Sequence, residues 1–233
     1  MLQYYELTLT VYLQQSIPFQ ETNEKIAQVI NKAMLPDKAL AVKHKENRFK
    51  YYVFDSLYPL EQDKVYKAGK VYVFHIRSLD KVFVEKMKKL LPKTENPYIK
   101  ILATEVKRYR QRHIAELYTM TPVLVTIDNA HWILGNDLMM LQQRLQTNLE
   151  KKYKTFYDES LNASVSFIQR IEVLNRKPMA YRYKNIKMLG NKLKIAVNED
   201  AISQKLAFIA AACGLGEKGS ALGMGFCHAN GLK

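Results

Sequence analysis

The stretch KHKENRFKYY, Lys43 to Tyr52, concentrates His44, Arg48, Lys50 and three aromatic side chains within ten residues. Imidazole takes and gives protons near neutral pH, and an ammonium or guanidinium beside it can stabilise the extra charge of a pentavalent phosphorane. That pairing suits cleavage of RNA by its own adjacent 2′-hydroxyl, with no metal. Metal-dependent nuclease chemistry needs at least two carboxylates converging on the ions. The acidic residues Glu61 and Asp63, Asp128 and Asp137, and Asp158 and Glu159 are scattered and read as solvated. His75, His113, His131 and His228 lack zinc-ligand spacing with one another, so neither a metal nor a cofactor is expected.

A second stretch, ACGLGEKGSALGMGF from Ala212 to Phe226, holds five of the chain's nine glycines: Gly214, Gly216, Gly219, Gly223 and Gly225. The first three spell GxGxxG, the fingerprint of a dinucleotide-binding turn. That turn needs a strand before the glycines and a helix after them. Here the order is reversed. Glu199 to Cys213 reads as a helix with Asn198 as its cap and Ile202, Leu206, Ile209 and Ala210 at helical spacing, and Leu222 to His228 reads as a closing strand. Two readings are left: a tight connection, which one or two glycines would serve, or close backbone approach to a phosphate chain, with Lys218 adding charge.

Two further stretches are basic. In KRYRQR, an extended backbone would put Arg108, Arg110 and Arg112 on one face, either as a rail along a phosphate backbone or as a solvated sheet face. In RKPMAYRYKNIK, Tyr181 and Tyr183 face one way and Arg182 and Lys184 the other, so that the rings serve either base stacking or the core.

The composition agrees with a polyanionic partner. Lys and Arg number 36 against 22 acidic residues, a net charge of +14, and nucleic acid is the first partner class this implies. The N-terminus lacks a secretory signal and no apolar run approaches a membrane span, so a cytoplasmic protein without a membrane partner is expected. Cys213 and Cys227 read as small, reduced core residues.

These side chains must be positioned by an α+β framework. Strands are expected over Leu2 to Leu13, Ala39 to His44, Phe49 to Phe54, Lys70 to Ile76 and Tyr98 to Arg112, and helices over Glu21 to Leu35 and Ser78 to Leu91. The second half repeats the order. Thr121 to Ile127 is strand, Gly135 to Lys152 helix, Ser164 to Leu174, Ala180 to Met188 and Lys192 to Val197 strands, then the helix and strand around the glycines. Two tandem ferredoxin-like βαββαβ units follow, residues 1–114 and 115–233, joined near Ile114 to Met120 and ending in a C-terminal glycine-rich loop. Both halves carry a positive excess, which suits a groove between them.

In its length, doubled βαββαβ order, basic charge and GLGEKGSALGMGF loop at the end of the second unit, the chain resembles the RAMP superfamily of CRISPR-associated proteins. Within it, the chain is most similar to the repeat-processing endoribonucleases of the Cas-six type. The resemblance implies binding of CRISPR repeat RNA and one metal-independent cut in each repeat, leaving a 2′,3′-cyclic phosphate and a 5′-hydroxyl. Some members use a histidine after the first helix, a lysine six residues later and a tyrosine within that helix; His44 and Lys50 match the first two. Glu21 to Leu35 has no tyrosine, so the third role is either absent or filled by another residue, with Tyr51 and Lys32 as the alternatives. Arg48, Arg108, Arg110, Arg112, Arg182, Lys184, Lys218 and the five loop glycines are the candidate RNA contacts. The resemblance also leaves room for other Cas proteins of an effector complex, or a second copy of the chain, as partners. The competing function is a non-catalytic RNA-binding subunit of such a complex.

Overall fold

Strand β1 (Gln3–Leu13) organises the first half of the chain, because Leu7, Leu9, Val11 and Leu13 are fully buried on one face while Thr8 and Thr10 on the other are only half-buried. In this computed structural model, which describes residues 1–127, 130–132, 137–161, 163–183 and 186–231, β1 is followed by the short β2 (Ile17–Pro18) and helix α1 (Phe19–Met34). Then come α2 (Lys38–Lys45), β3 (Tyr52–Phe54), the short β4 (Val65–Tyr66) paired with β2, β5 (Val71–Ser78), α3 (Lys81–Leu90) and β6 (Ile99–Arg110). The sheet runs β3-β5-β1-β6 with every pair antiparallel. With β3, β5 and β6 counted as second, third and fourth strands, this is the ferredoxin-like order. Ile26, Ile30 and Ala33 of α1 and Phe83, Val84 and Met87 of α3 close one face of it into a core with Leu7, Leu9 and Phe74.

The second half builds the same pattern from β7 (Glu116–Thr119), the short pair β8 (Thr126–Ile127) and β9 (Ala130–His131), α4 (Leu138–Tyr157), β10 (Ile168–Val173), a hairpin of β11 (Met179–Tyr183) and β12 (Ile186–Gly190), β13 (Leu193–Val197), α5 (Ala201–Cys213), α6 (Gly219–Leu222) and β14 (Cys227–Asn230). Its sheet order, β10-β13-β7-β14, is again antiparallel throughout and again places the first strand between the third and the fourth. Leu141, Leu145 and Leu149 of α4 cover it together with Leu206 and Ile209 of α5. Among the described residues no helix is long and apolar enough to cross a membrane.

Helix α5 explains how the two sheets meet. From Leu206 to Cys213 every side chain is buried, because the helix packs on β13 and β14 of its own sheet and also against β3 and β5 of the first. Arg77 of β5 reaches into the same junction. Its Nε donates to Glu6 Oε2 at 2.6 Å, and its Nη1 donates to the carbonyls of Cys227 at 2.5 Å and Ala211 at 3.3 Å. Cys213 and Cys227 are both buried, with no disulfide between them.

Several local expectations are corrected. Ala39 to His44 is helical, not extended: Asp37 Oδ1 caps α2 by accepting from Leu40 N–H at 3.0 Å, and only Leu40 is buried, so the helix has no apolar stripe to declare itself. Phe49 to Phe54 is strand only from Tyr52. The segment Ile114 to Met120, expected as a connection, contains the central strand β7, and Thr121 to Ile127 is strand only at its last two residues. Ala180 to Met188 is not one strand but parts of the β11-β12 hairpin outside the main sheet. The cap of α5 is Asp200 rather than Asn198, and α3 is capped by Asp80, since their carboxylates accept the first free N–H groups. Leu222 to His228 is extended only from Cys227, because α6 turns the chain within the glycine stretch. Asp128, Gly135 and Lys184 lie outside the described residues.

Candidate functional site

A cavity of about 580 Å³ lies where the segment after α2, the glycine-rich stretch and α4 meet, lined by Arg48, Lys50 and Tyr51 from the first, Gly216, Lys218 and Gly219 from the second, and Asn148, Lys152 and Thr155 from the third. The α4 residues recur at intervals of four and three, which sets them on one helical face. Four of the side chains named are cationic.

Helix α2 carries His44 in its last turn and is pinned to α3 at both ends. Lys86 Nζ meets Asp37 at 2.7 Å, and Lys43 Nζ meets Asp80 Oδ2 at 2.7 Å. Burial opposes ionisation of Asp80, yet the Lys43 bond and the cap N–H groups hold its carboxyl below the usual carboxylate range. Beyond α2 the backbone is extended at Glu46, and Lys50 Nζ donates back to the carbonyl of His44 at 2.7 Å. Tyr51 then takes φ = 55°, a left-handed conformation rare for a bulky residue. The strain is held from two sides, by Ser78 Oγ donating to its carbonyl at 2.7 Å and by its ring meeting Phe156 edge-on at 4.9 Å. The structure thus brings Lys50, Arg48 and Tyr51 to the cavity wall, whereas His44 does not line the cavity and is tied to it through the bond from Lys50 to its main-chain carbonyl. Lys32, the other alternative for the third role, donates to the carbonyl of Glu95 at 2.7 Å and does not line the cavity.

The glycine-rich stretch is largely buried against protein. A Cβ on Gly214 would stand 2.9 Å from Val53 Cγ2, one on Gly216 2.7 Å from the Leu124 carbonyl, and one on Gly223 2.5 Å from the Phe54 carbonyl. Asn23 Nδ2 of α1 donates to the Leu222 carbonyl at 3.0 Å and Thr121 Oγ1 to that of Gly223 at 2.6 Å. The reason for so many glycines is therefore close approach of the loop to strand β3 and to residues 121–124. The cavity side is a different matter: Lys218 is exposed there at φ = 60°, with Gly216 and Gly219 beside it.

Lys152 was not marked by its sequence context. Its side chain is buried, its Nζ donates to the carbonyls of Gly214 at 2.8 Å and Gly216 at 3.2 Å, and burial drives the amine down to about 8. His75 of β5 does not line the cavity. Asp55 Oδ2 lies 2.7 Å from its Nδ1; burial alone would lower the imidazole pKa, but the Asp55 hydrogen bond and charge raise it on balance.

The other candidate contacts lie elsewhere. Arg108 and Arg110 stand on edge strand β6 opposite Tyr5 and Gln3, both exposed, and Arg112 beyond the strand donates to the Ala229 carbonyl at 3.3 Å. None of the three lines the cavity. Arg182, on the hairpin, is exposed and 3.6 Å from Glu21 Oε1. Its neighbour Tyr181 is buried against Phe19, with ring centroids 5.6 Å apart, so that tyrosine belongs to the core.

Comparison with known proteins agrees with this geometry. The chain is similar to a CRISPR-associated endoribonuclease Cas6 of Methanocaldococcus jannaschii, 25% identical over 240 residues, which cover 95% of this chain and 98% of that one. Among solved structures, the product of a Cas6-related gene from Pyrococcus furiosus superposes with a TM-score of 0.73 at 17% identity, covering 97% of this chain and 98% of that one. A RAMP protein described as binding different RNA substrates superposes at 0.72 and 16% identity, over 97% of this chain and 99% of that one. At such identities these two speak for the fold. The family model for CRISPR associated protein Cas6, C-terminal, matches residues 102–229, more than half of the sequence. A doubled ferredoxin-like architecture, a cationic cavity beneath a glycine-rich loop and this match together place the chain in the Cas6 family of CRISPR-associated proteins.

Proposed function

We propose that this chain is an endoribonuclease that binds CRISPR repeat RNA and cuts it once within each repeat, by attack of a 2′-hydroxyl on the adjacent phosphorus. The O2′–P bond forms as the P–O5′ bond breaks, which leaves a 2′,3′-cyclic phosphate on one fragment and a 5′-hydroxyl on the other. His44 acts as general acid or base on one of these oxygens, and the Lys50 ammonium stabilises the phosphorane's non-bridging charge. No metal enters the balance.

The observation that carries this reading is the cationic wall of the cavity, where Lys50, whose Nζ holds the main-chain carbonyl of His44 at 2.7 Å, meets Arg48, Lys218 and the glycine loop. In this scheme residues 1–114 supply the acid–base and charge-stabilising groups and residues 115–233 supply the loop. Arg48 and Lys218 bind phosphates at the cut, while Arg108, Arg110, Arg112 and Arg182 bind RNA farther along. Tyr51, at the cavity wall, fills the third role, and Lys32 does not.

Incubation of the purified protein with a single-repeat RNA in excess chelator tests the proposal. Cleavage at one position with cyclic-phosphate and 5′-hydroxyl ends is expected. Binding without cleavage would instead favour a non-catalytic RNA-binding subunit, and cleavage abolished by the chelator would overturn the metal-independent mechanism.

A further inference from the structure

Lys152 has three N–H donors when charged, and two of them are taken by carbonyls of the chain. Its Nζ donates to the carbonyls of Gly214 and Gly216, the same side chain lines the cavity, and no ion pair to it is formed among the described residues. An ammonium carries three N–H donors, whereas a neutral amine carries two. The neutral form can serve both glycine carbonyls and nothing else. Only the charged form can serve them and an anion in the cavity together.

On the reading of this cavity as the RNA-cleaving site, we propose that Lys152 is a positioning residue that couples the glycine-rich loop to the substrate. An RNA phosphate entering the cavity supplies its counter-charge and takes its third hydrogen, so that RNA binding draws a proton onto this amine. The groups around it fit that role. Burial pushes the thiols of Cys213 and Cys227 up to about 12, so both stay neutral, and Glu217 is the acidic neighbour. Lys50, Arg48 and Lys218 share the cavity, and burial is what lowers the amine. Since the free amine sits at about 8, the sign is fixed. Below that pH the amine is charged before RNA arrives and binding takes up no proton; above it, binding must recruit one, and affinity falls with rising pH by up to about tenfold per unit.

The test uses the full chain and a repeat RNA made uncleavable by a 2′-deoxy substitution at the cut, with Kd measured from pH 7 to 9.5 at fixed salt. The wild type is expected to lose affinity above pH 8. Lys152→Arg, charged throughout, should hold its affinity level over the same range, and Lys152→Met should be weaker and level. Calorimetry at pH 8.5 in buffers of different ionisation enthalpy should show net proton uptake for the wild type and none for Lys152→Arg, a readout that does not depend on Lys152→Met folding. A pH slope or proton uptake that persists in Lys152→Arg would overturn the coupling while wild-type binding and cleavage leave the endoribonuclease reading intact. Failure of the wild type to bind repeat RNA at all would overturn both.

Discussion

Lys50 and His44 are joined by a hydrogen bond from the lysine ammonium to the histidine's main-chain carbonyl, at 2.7 Å and across six residues of chain. The bond ties a cation at the cavity wall to the last turn of α2, so the position of Lys50 depends on that helix staying formed. Helix α2 in turn depends on Asp37 and Lys43, which meet Lys86 and Asp80 of the α3 region.

Removal of the Lys50 charge should therefore act on the chemical step. Lys50→Ala is expected to lower the single-turnover cleavage rate by about 10²–10³-fold, the range for loss of one preorganised charge-stabilising donor. RNA affinity should change little. Single-turnover kinetics at saturating enzyme, beside equilibrium binding, separate the two effects.

Close approach of the glycine loop to β3 makes a steric prediction. Gly69 and Gly223 both have positive φ, +82° and +68°, but a Cβ on Gly69 meets nothing within 4 Å while one on Gly223 meets the Phe54 carbonyl at 2.5 Å. Gly69→Ala should cost only the left-handed conformation, about 1–2 kcal/mol. Gly223→Ala should lose a further 1–3 kcal/mol or so from overpacking. Urea denaturation midpoints for the two variants check the difference.

The junction between the sheets rests on a buried charge. Arg77 is 8% exposed and Glu6 7%; burial works against the Glu6 carboxylate, but the Arg77 charge and hydrogen bond hold its pKa below the ordinary value. Arg77→Met leaves that carboxylate unpaired and strands the carbonyls of Ala211 and Cys227, so it should cost about 3–5 kcal/mol. The double change with Glu6→Gln should recover part of the loss. A double-mutant cycle measured by chemical denaturation reads the coupling directly.

How much of this was legible in the sequence depended on whether the signal was local. Ile26, Ile30 and Ala33 repeat at helical spacing and are all fully buried, and the alternation in β1 is equally plain. The order of elements followed from such patterns, and it sufficed for two ferredoxin-like units. Helix α2 is not legible in the sequence because one buried leucine gives no period, and its stabilising partners Asp80 and Lys86 come from a distant segment. Strand β7 reads as a connection in the sequence because four residues are too few to show alternation. The glycines were conspicuous, but their packing against Val53, Phe54 and Leu124 is a tertiary fact. Lys152 looked like any charge near the end of an amphipathic helix, since its partners lie 62 and 64 residues away.

The central claim is acid–base cleavage by His44, and the most direct measurement is the single-turnover rate of repeat-RNA cleavage by His44→Ala in chelator, with binding of uncleavable RNA measured alongside. The predicted result is a rate about 10²–10⁴-fold below wild type with RNA affinity retained. A variant that cuts within a few-fold of the wild-type rate would contradict it.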